Sequence, residues 1–236
     1  MIEMKKMPAS NSSEHAVARG QIYHFLELAF GHPAEEGIEY FRRESTETLL
    51  YETLEKIEDS SAFDKEMHDC FERFFENLRK SSVEKIEGDY IMLFASNYPM
   101  VPCPPYGSLF TENEHKRLEE MTAIKEAYQE SGLALSEKHE ELPDHLGVEL
   151  EFLQYLSFRE GESLKDEEGE IVKFWRSKQA HFLDRFSVPF VTQLALIAKK
   201  TEPDNIYTDL LCAIQYFVDH HSREFAAATF YRSSQS

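Results

Sequence analysis

Apolar residues recur at helical intervals from one end of this chain to the other, and nothing else in the sequence narrows the fold as much. Tyr23, Leu26 and Phe30 repeat in this way. Phe63, Met67, Phe71, Phe74 and Leu78 follow, then Leu146, Leu150, Leu153 and Leu156. Ile171, Trp175, Phe182 and Phe186 form another series, and Ile206, Leu210, Ile214, Phe217 and His221 close the set. Strand-like alternation is nearly absent, and Gly and Pro number only nine each. This is the pattern of amphipathic helices packed on one another. The expected fold is all-α, a single globular helical domain of about nine or ten helices of roughly 11–15 residues. With 236 residues, 42% of them hydrophobic, the chain can bury one sizeable core or two small ones.

Helix boundaries can be read from caps and breakers. Ser60 or Ser61 can cap the helix bearing Phe63. In "SVPF", Ser187 is expected as a cap with Pro189 in the first turn, where its missing N–H costs nothing. "TEPDN" does similar work before Ile206. The charge-rich stretch "REGESLKDEEGE", Arg159 to Glu170, reads as a solvated loop. A sharper break is "ASNYPMVPCPPYGSLF", Ala95 to Phe110, with Pro99, Pro102, Pro104 and Pro105. Prolines remove donors and push the preceding residues toward extended conformations, so this segment is not expected to be a helix. It divides an N-terminal half, 13–95, from a C-terminal half, 111–231, with 96–110 as a hinge; 1–12 and 232–236 are expected to be flexible. Two readings of the hinge stay open: a functional loop, or a rigid linker whose Tyr98, Tyr106 and Phe110 plug into the core.

Forty-four acids against 25 bases give a formal charge of -19. Such a polyanion is repelled by nucleic acid and by anionic membranes, and attracts cationic peptides. Cys70, Cys103 and Cys212 are odd in number and far apart, so a disulfide framework or a zinc site is not expected and a reducing compartment fits. The N-terminus lacks a signal-peptide apolar region, and "VPFVTQLALIA" is about half a bilayer span. The expected location is the cytoplasm, without membrane insertion.

Chemistry is concentrated at "ELPDHLGVEL". Asp144 is expected as N-cap with His145 at the first helical position, and Glu149, one turn on, shares its face and could pair with it. Glu141, Asp144, His145 and Glu149 thus crowd one helix end, where carboxylates could receive a guanidinium. An alternative is a helical di-metal carboxylate/His oxidoreductase using Glu112, His115, His145 and Glu149. "TENEH" gives one Glu-x-x-His pair, but no other histidine has Glu three residues before it. Phosphate-loop and nucleophile-elbow motifs are absent, and no nucleophile–base pair stands out.

Taken in order, several landmarks resemble the TorD/DmsD/NarJ family of redox-enzyme maturation chaperones. They are "RGQIYHFLELAFGHP" (Arg19 to Pro33), "GDYIMLFASNYP" with Tyr90, Leu93 and Phe94 in the family's Tyr-x-x-Leu-Phe position, "PPYGSLF", and "ELPDHLGVELEFL". The resemblance covers roughly residues 15–225. It implies a cytoplasmic, non-enzymatic chaperone for a molybdopterin oxidoreductase catalytic subunit. Such a protein binds the subunit's N-terminal twin-arginine leader, or its apo-form, until cofactor insertion and assembly are complete. The implied peptide-site residues are Tyr106, Ser108, Pro143, Asp144 and His145, with Glu141 and Glu149 adding negative potential. No cofactor is implied beyond the GTP known for some members. The proline-rich hinge allows either a monomer or a domain-swapped dimer.

Overall fold

The computed structural model describes residues 12–57, 62–95, 101–134 and 141–233. Within them the chain forms ten α-helices and no strand. In order they are α1 (Ser13–Phe30), α2 (Glu35–Phe41), α3 (Glu44–Leu54), α4 (Ala62–Lys80), α5 (Val83–Tyr90), α6 (Glu114–Glu130), α7 (Leu146–Lys165), α8 (Gly169–Phe182), α9 (Val188–Thr201) and α10 (Ile206–Ser233). A π-turn, Ile91–Ala95, continues α5; a 3-10 turn, Gly107–Phe110, precedes α6; a second π-turn, Leu183–Ser187, runs from α8 into α9. The fold is all-α, as the apolar periodicity required.

Local chemistry sets several starts. Ser12, Ser82 and Asn113 accept the N–H of the third residue on, from His15, Lys85 and Lys116, which satisfies donors that a helix's first turn leaves free. Asn205 supplies the cap before α10, taking the N–H of Tyr207. The expected caps Ser60 and Ser61, and the side chain of Phe63, lie outside the described residues.

Two close helix pairs organise the core. α1 lies along α7, and α4 packs against α10, so elements from before and after the proline-rich segment share one interior. The first pair is tight because two glycines remove side chains where the helices meet. A Cβ on Gly20 would stand 2.8 Å from the Phe158 ring, and one on Gly161 2.9 Å from Val17 Cγ2. Tyr23, Leu26, Phe30, Leu146, Leu150, Leu153, Leu156, Phe182, Phe186 and Phe217 are all buried, as their spacing indicated. Ile171 is not: it is 41% exposed, on the outer face of α8.

Beside this apolar core runs a buried ionic network. The guanidinium of Arg19, 2% exposed, contacts Glu160, Glu224 at 3.1 Å and Gln179 at 3.2 Å. Arg176 reaches the other oxygen of Glu160 at 2.5 Å, and His15 lies 2.8 Å from Glu224. The two arginines hold the carboxylate of Glu160 below its usual range against the opposing effect of burial.

This network corrects the loop expected from Arg159 to Glu170. Arg159 to Lys165 complete α7, and only Asp166–Glu168 turn before α8. Glu160 is buried because Arg19, far away in sequence, neutralises it; a charge run is solvated only when no such partner arrives. Ser187 likewise does not cap α9. Its φ of -70° and ψ of -44° are helical, since the π-turn feeds straight into α9. Pro189 does sit in the first turn. The cysteine expectation also changes. Cys70 on α4 and Cys212 on α10 form a disulfide with Cα atoms 5.9 Å apart, while Cys103 is free and buried. Sequence spacing concealed this pair because the α4–α10 contact alone makes them neighbours.

Candidate functional site

The proline-rich segment ends in a strap that pairs with the residues before α7. Gly107 N donates to Asp144 O and Leu146 N to Pro105 O, both at 2.9 Å, forming an isolated antiparallel bridge between Tyr106 and His145. Prolines at 104 and 105 keep the strap out of a helix: Tyr106 N donates back to Pro104 O at 2.9 Å, Tyr106 itself is extended, and the Gly107–Phe110 turn then carries the chain to α6.

The bridge brings together most of the residues singled out by the sequence. The Tyr106 hydroxyl donates to Glu141 at 2.6 Å, and its ring lies edge-on to His145, centroids 5.1 Å apart. Phe30 of α1 packs on the other side of His145 at 5.9 Å. Pro143 is fixed through its carbonyl, which accepts from Tyr128 of α6 at 2.7 Å. Asp144 is fully buried, and its Oδ2 accepts the Ser108 N–H at 2.9 Å. Burial first, then the hydrogen bond to Glu141, push the Tyr106 hydroxyl well above its ordinary pKa.

Two local expectations at α7 change. His145, not Asp144, is the N-cap: its φ of -70° and ψ of 137° are extended, and its Nδ1 accepts from Gly147 N at 3.2 Å. Asp144 turns toward the strap instead, where its Oδ2 takes the Ser108 N–H, and it does not accept from the first turn of α7. Nor does His145 pair with Glu149. The Glu149 side chain turns inward, where its Oε2 accepts from Ser187 at 2.8 Å. It is 1% exposed, and burial raises its carboxyl pKa from 4.5 to about 8, with lesser contributions from Asp144 and Glu120. Glu149 therefore lies behind the strap, while Glu141 faces solvent in front of it.

The metal alternative loses its geometry. Glu112 pairs with Lys116 and His115 with Glu119, all along the outside of the α6 start, with His115 83% exposed. Among the described residues no three His, Cys, Asp or Glu side chains converge to hold a metal ion. Sequence reasoning missed Glu120, Tyr128, Arg185 and Ser187 as neighbours of the site. Only Ser187 carried a signal, and it was read as a cap.

A family model described as "Nitrate reductase delta subunit" matches residues 59–195, more than half of the chain. The chain belongs to the nitrate reductase delta subunit family. The matched delta-subunit region contains the whole strap, the Asp144–His145 step and Glu149, whereas α1 and α10 lie outside it. Among curated relatives, the "Perchlorate reductase assembly chaperone protein" of Dechloromonas aromatica (strain RCB) is 23% identical over 216 residues, covering 89% of this chain and 91% of the relative. A solved structure described as a redox enzyme maturation protein from Archaeoglobus fulgidus aligns over 85% of this chain and 93% of its own, at 21% identity and a TM-score of 0.47. No helix of this delta-subunit family member, among the described residues, is long and apolar enough to cross a membrane.

Proposed function

We propose that this chain is an assembly chaperone for the catalytic subunit of a molybdopterin oxidoreductase, and that it grips the subunit's twin-arginine leader at the Tyr106–His145 bridge. The observation that carries the reading is the bridge itself. It gathers Tyr106, Ser108, Glu141, Pro143, Asp144 and His145 from two distant segments into one acidic, aromatic corner. Membership of the delta-subunit family and the likeness to a perchlorate reductase assembly chaperone support it. So does the formal charge of -19, which attracts a cationic leader over a long range. Leu109 and Leu142, on the two paired segments, are 41% and 39% exposed and offer apolar contact to the leader's hydrophobic stretch. Binding of this kind uses no catalytic residue and no bound cofactor, and it takes place in the cytoplasm before export or membrane attachment.

The test is a calorimetric titration of the full chain with a synthetic leader peptide, compared with the same peptide carrying Lys at both Arg positions. The Arg pair is expected to bind more tightly, because a guanidinium meets a carboxylate with two parallel hydrogen bonds and an ammonium does not. Failure of both the leader and the full apo-subunit to bind would refute the reading.

A further inference from the structure

Behind the strap lies a cavity of about 150 Å³ that the proposed leader site does not use. Its walls are the Gly107–Phe110 turn, Glu120 of α6, Glu149 of α7, and Phe186 and Phe190 on either side of Pro189. Its charged lining is two carboxylates, Glu149 and Glu120, against one guanidinium, Arg185. Glu149 spends one oxygen on Ser187, and the other, Oε1, is buried without a hydrogen-bond partner. Oε1 lies 3.5 Å from where a Cβ on Gly107 would stand, an ordinary contact distance that puts the strap directly against it. Oδ1 of the neighbouring Asp144 is buried and unpartnered as well. A buried acceptor left unmatched costs free energy that a suitable donor would recover.

We infer that this cavity receives one arginine guanidinium of the bound partner, with Glu149 Oε1 as its buried acceptor and Glu120 as the second carboxylate at the mouth. The proposal rests on the leader-binding reading and adds a subsite to it. Three features favour guanidinium over ammonium. The carboxylates of Glu149 and Glu120 suit a forked donor; Phe110, Phe186 and Phe190 supply aromatic walls; and the chain's own Arg185 already stacks on Phe186 at 4.8 Å, at the rim. Arg185 is exposed, so it can swing aside for the incoming group.

Charge near Glu149 gives the subsite a measurable signature. The groups facing it are Asp144 before α7, Glu120 and Tyr128 on α6, and Arg185 on the π-turn, beside the neutral Ser187. The unfilled site holds a proton on Glu149 up to about pH 8. An entering cation favours the ionised form, so binding near pH 7 releases that proton, and affinity increases with rising pH, by up to about tenfold per unit, until it levels off near pH 8.

The experiment is calorimetry at pH 7, in two buffers of different ionisation enthalpy, using the full chain and a synthetic peptide with an Arg-Arg pair before an apolar run. The expected result is release of about one proton per peptide bound. Glu149→Gln abolishes the release and weakens binding roughly tenfold or more. Arg185→Gln strengthens binding, and Glu168→Gln, on the exposed turn before α8, changes nothing. Should Glu149→Gln fail to fold, carboxyl-carbon NMR of the wild-type protein reads the same quantity: the Glu149 titration moves below pH 7 in the complex. Binding without proton release, with Glu149 titrating as in the free protein, overturns the subsite and leaves the leader-binding reading standing. Absence of any peptide binding overturns both.

Discussion

Replacing Glu149 by Gln isolates the cost of burying a carboxyl in this core. In the folded protein Glu149 keeps its proton to about pH 8, against an ordinary value of 4.5. Between those two values the folded state holds a proton that the unfolded state has lost. Stability therefore falls as pH rises through this window, and is flat below 4.5 and above about 8. At about 1.4 kcal/mol per pH unit, the wild type loses on the order of 3–5 kcal/mol across the window through this group. Gln has nearly the same shape, can accept from Ser187 and does not titrate. Its amide introduces a fixed, pH-independent difference but no slope. The stability of Glu149→Gln relative to wild type should thus rise by that amount between about pH 5 and about pH 8.5. Urea unfolding of both proteins, followed by far-UV circular dichroism at several pH values, measures it. Subtracting the two curves removes every other titrating group that is common to both. A difference constant within about 0.5 kcal/mol over that range would refute the reasoning, since Glu149 would then be ionised in the folded state.

Glu160→Ala leaves the guanidinium of Arg19 buried without its closest carboxylate and should cost about 3–5 kcal/mol in urea unfolding. Gly20→Ala drives a methyl into the Phe158 ring and should cost about 1–3 kcal/mol. Gly88→Ala, inside α5 with open space around it, should stabilise by roughly 0.5–1 kcal/mol, so the pair separates crowding from backbone entropy. Asp144→Ala removes the acceptor of the Ser108 N–H and should cost about 1–3 kcal/mol. It should also accelerate hydrogen exchange at Ser108 and weaken leader binding more than Glu168→Ala; equal effects on binding would reduce the site to bulk charge.

The residue types of the candidate site were legible in the sequence, and their arrangement was not. Glu141, Asp144, His145 and Glu149 stood out as chargeable residues crowding the start of an apolar series, whereas Tyr106 and Ser108 entered only through the resemblance to the TorD/DmsD/NarJ family. Their pairing through the strap depends on backbone hydrogen bonds across 36 positions between Ser108 and Asp144, which no local pattern encodes. Local rules assigned Asp144 to its own helix end. The better-placed donor from Ser108 claimed it instead, and the capping role passed to His145. The same competition misplaced Ser187, whose hydroxyl serves Glu149 and not α9.

The sequence by itself determined that the chain is helical, which faces of most helices are buried, and that it carries a large negative charge. These follow from period and charge, properties that each short segment carries whatever surrounds it. Tertiary structure alone decided that the Glu160 region is helix and core, that Cys70 meets Cys212, and that Glu149 points inward behind the strap while Glu141 stays outside. The reason is electrostatic and steric. Whether a polar group is buried depends on a counter-charge or donor delivered from far along the chain, here by Arg19, Ser187 and Ser108, and that delivery exists only once the helices have packed.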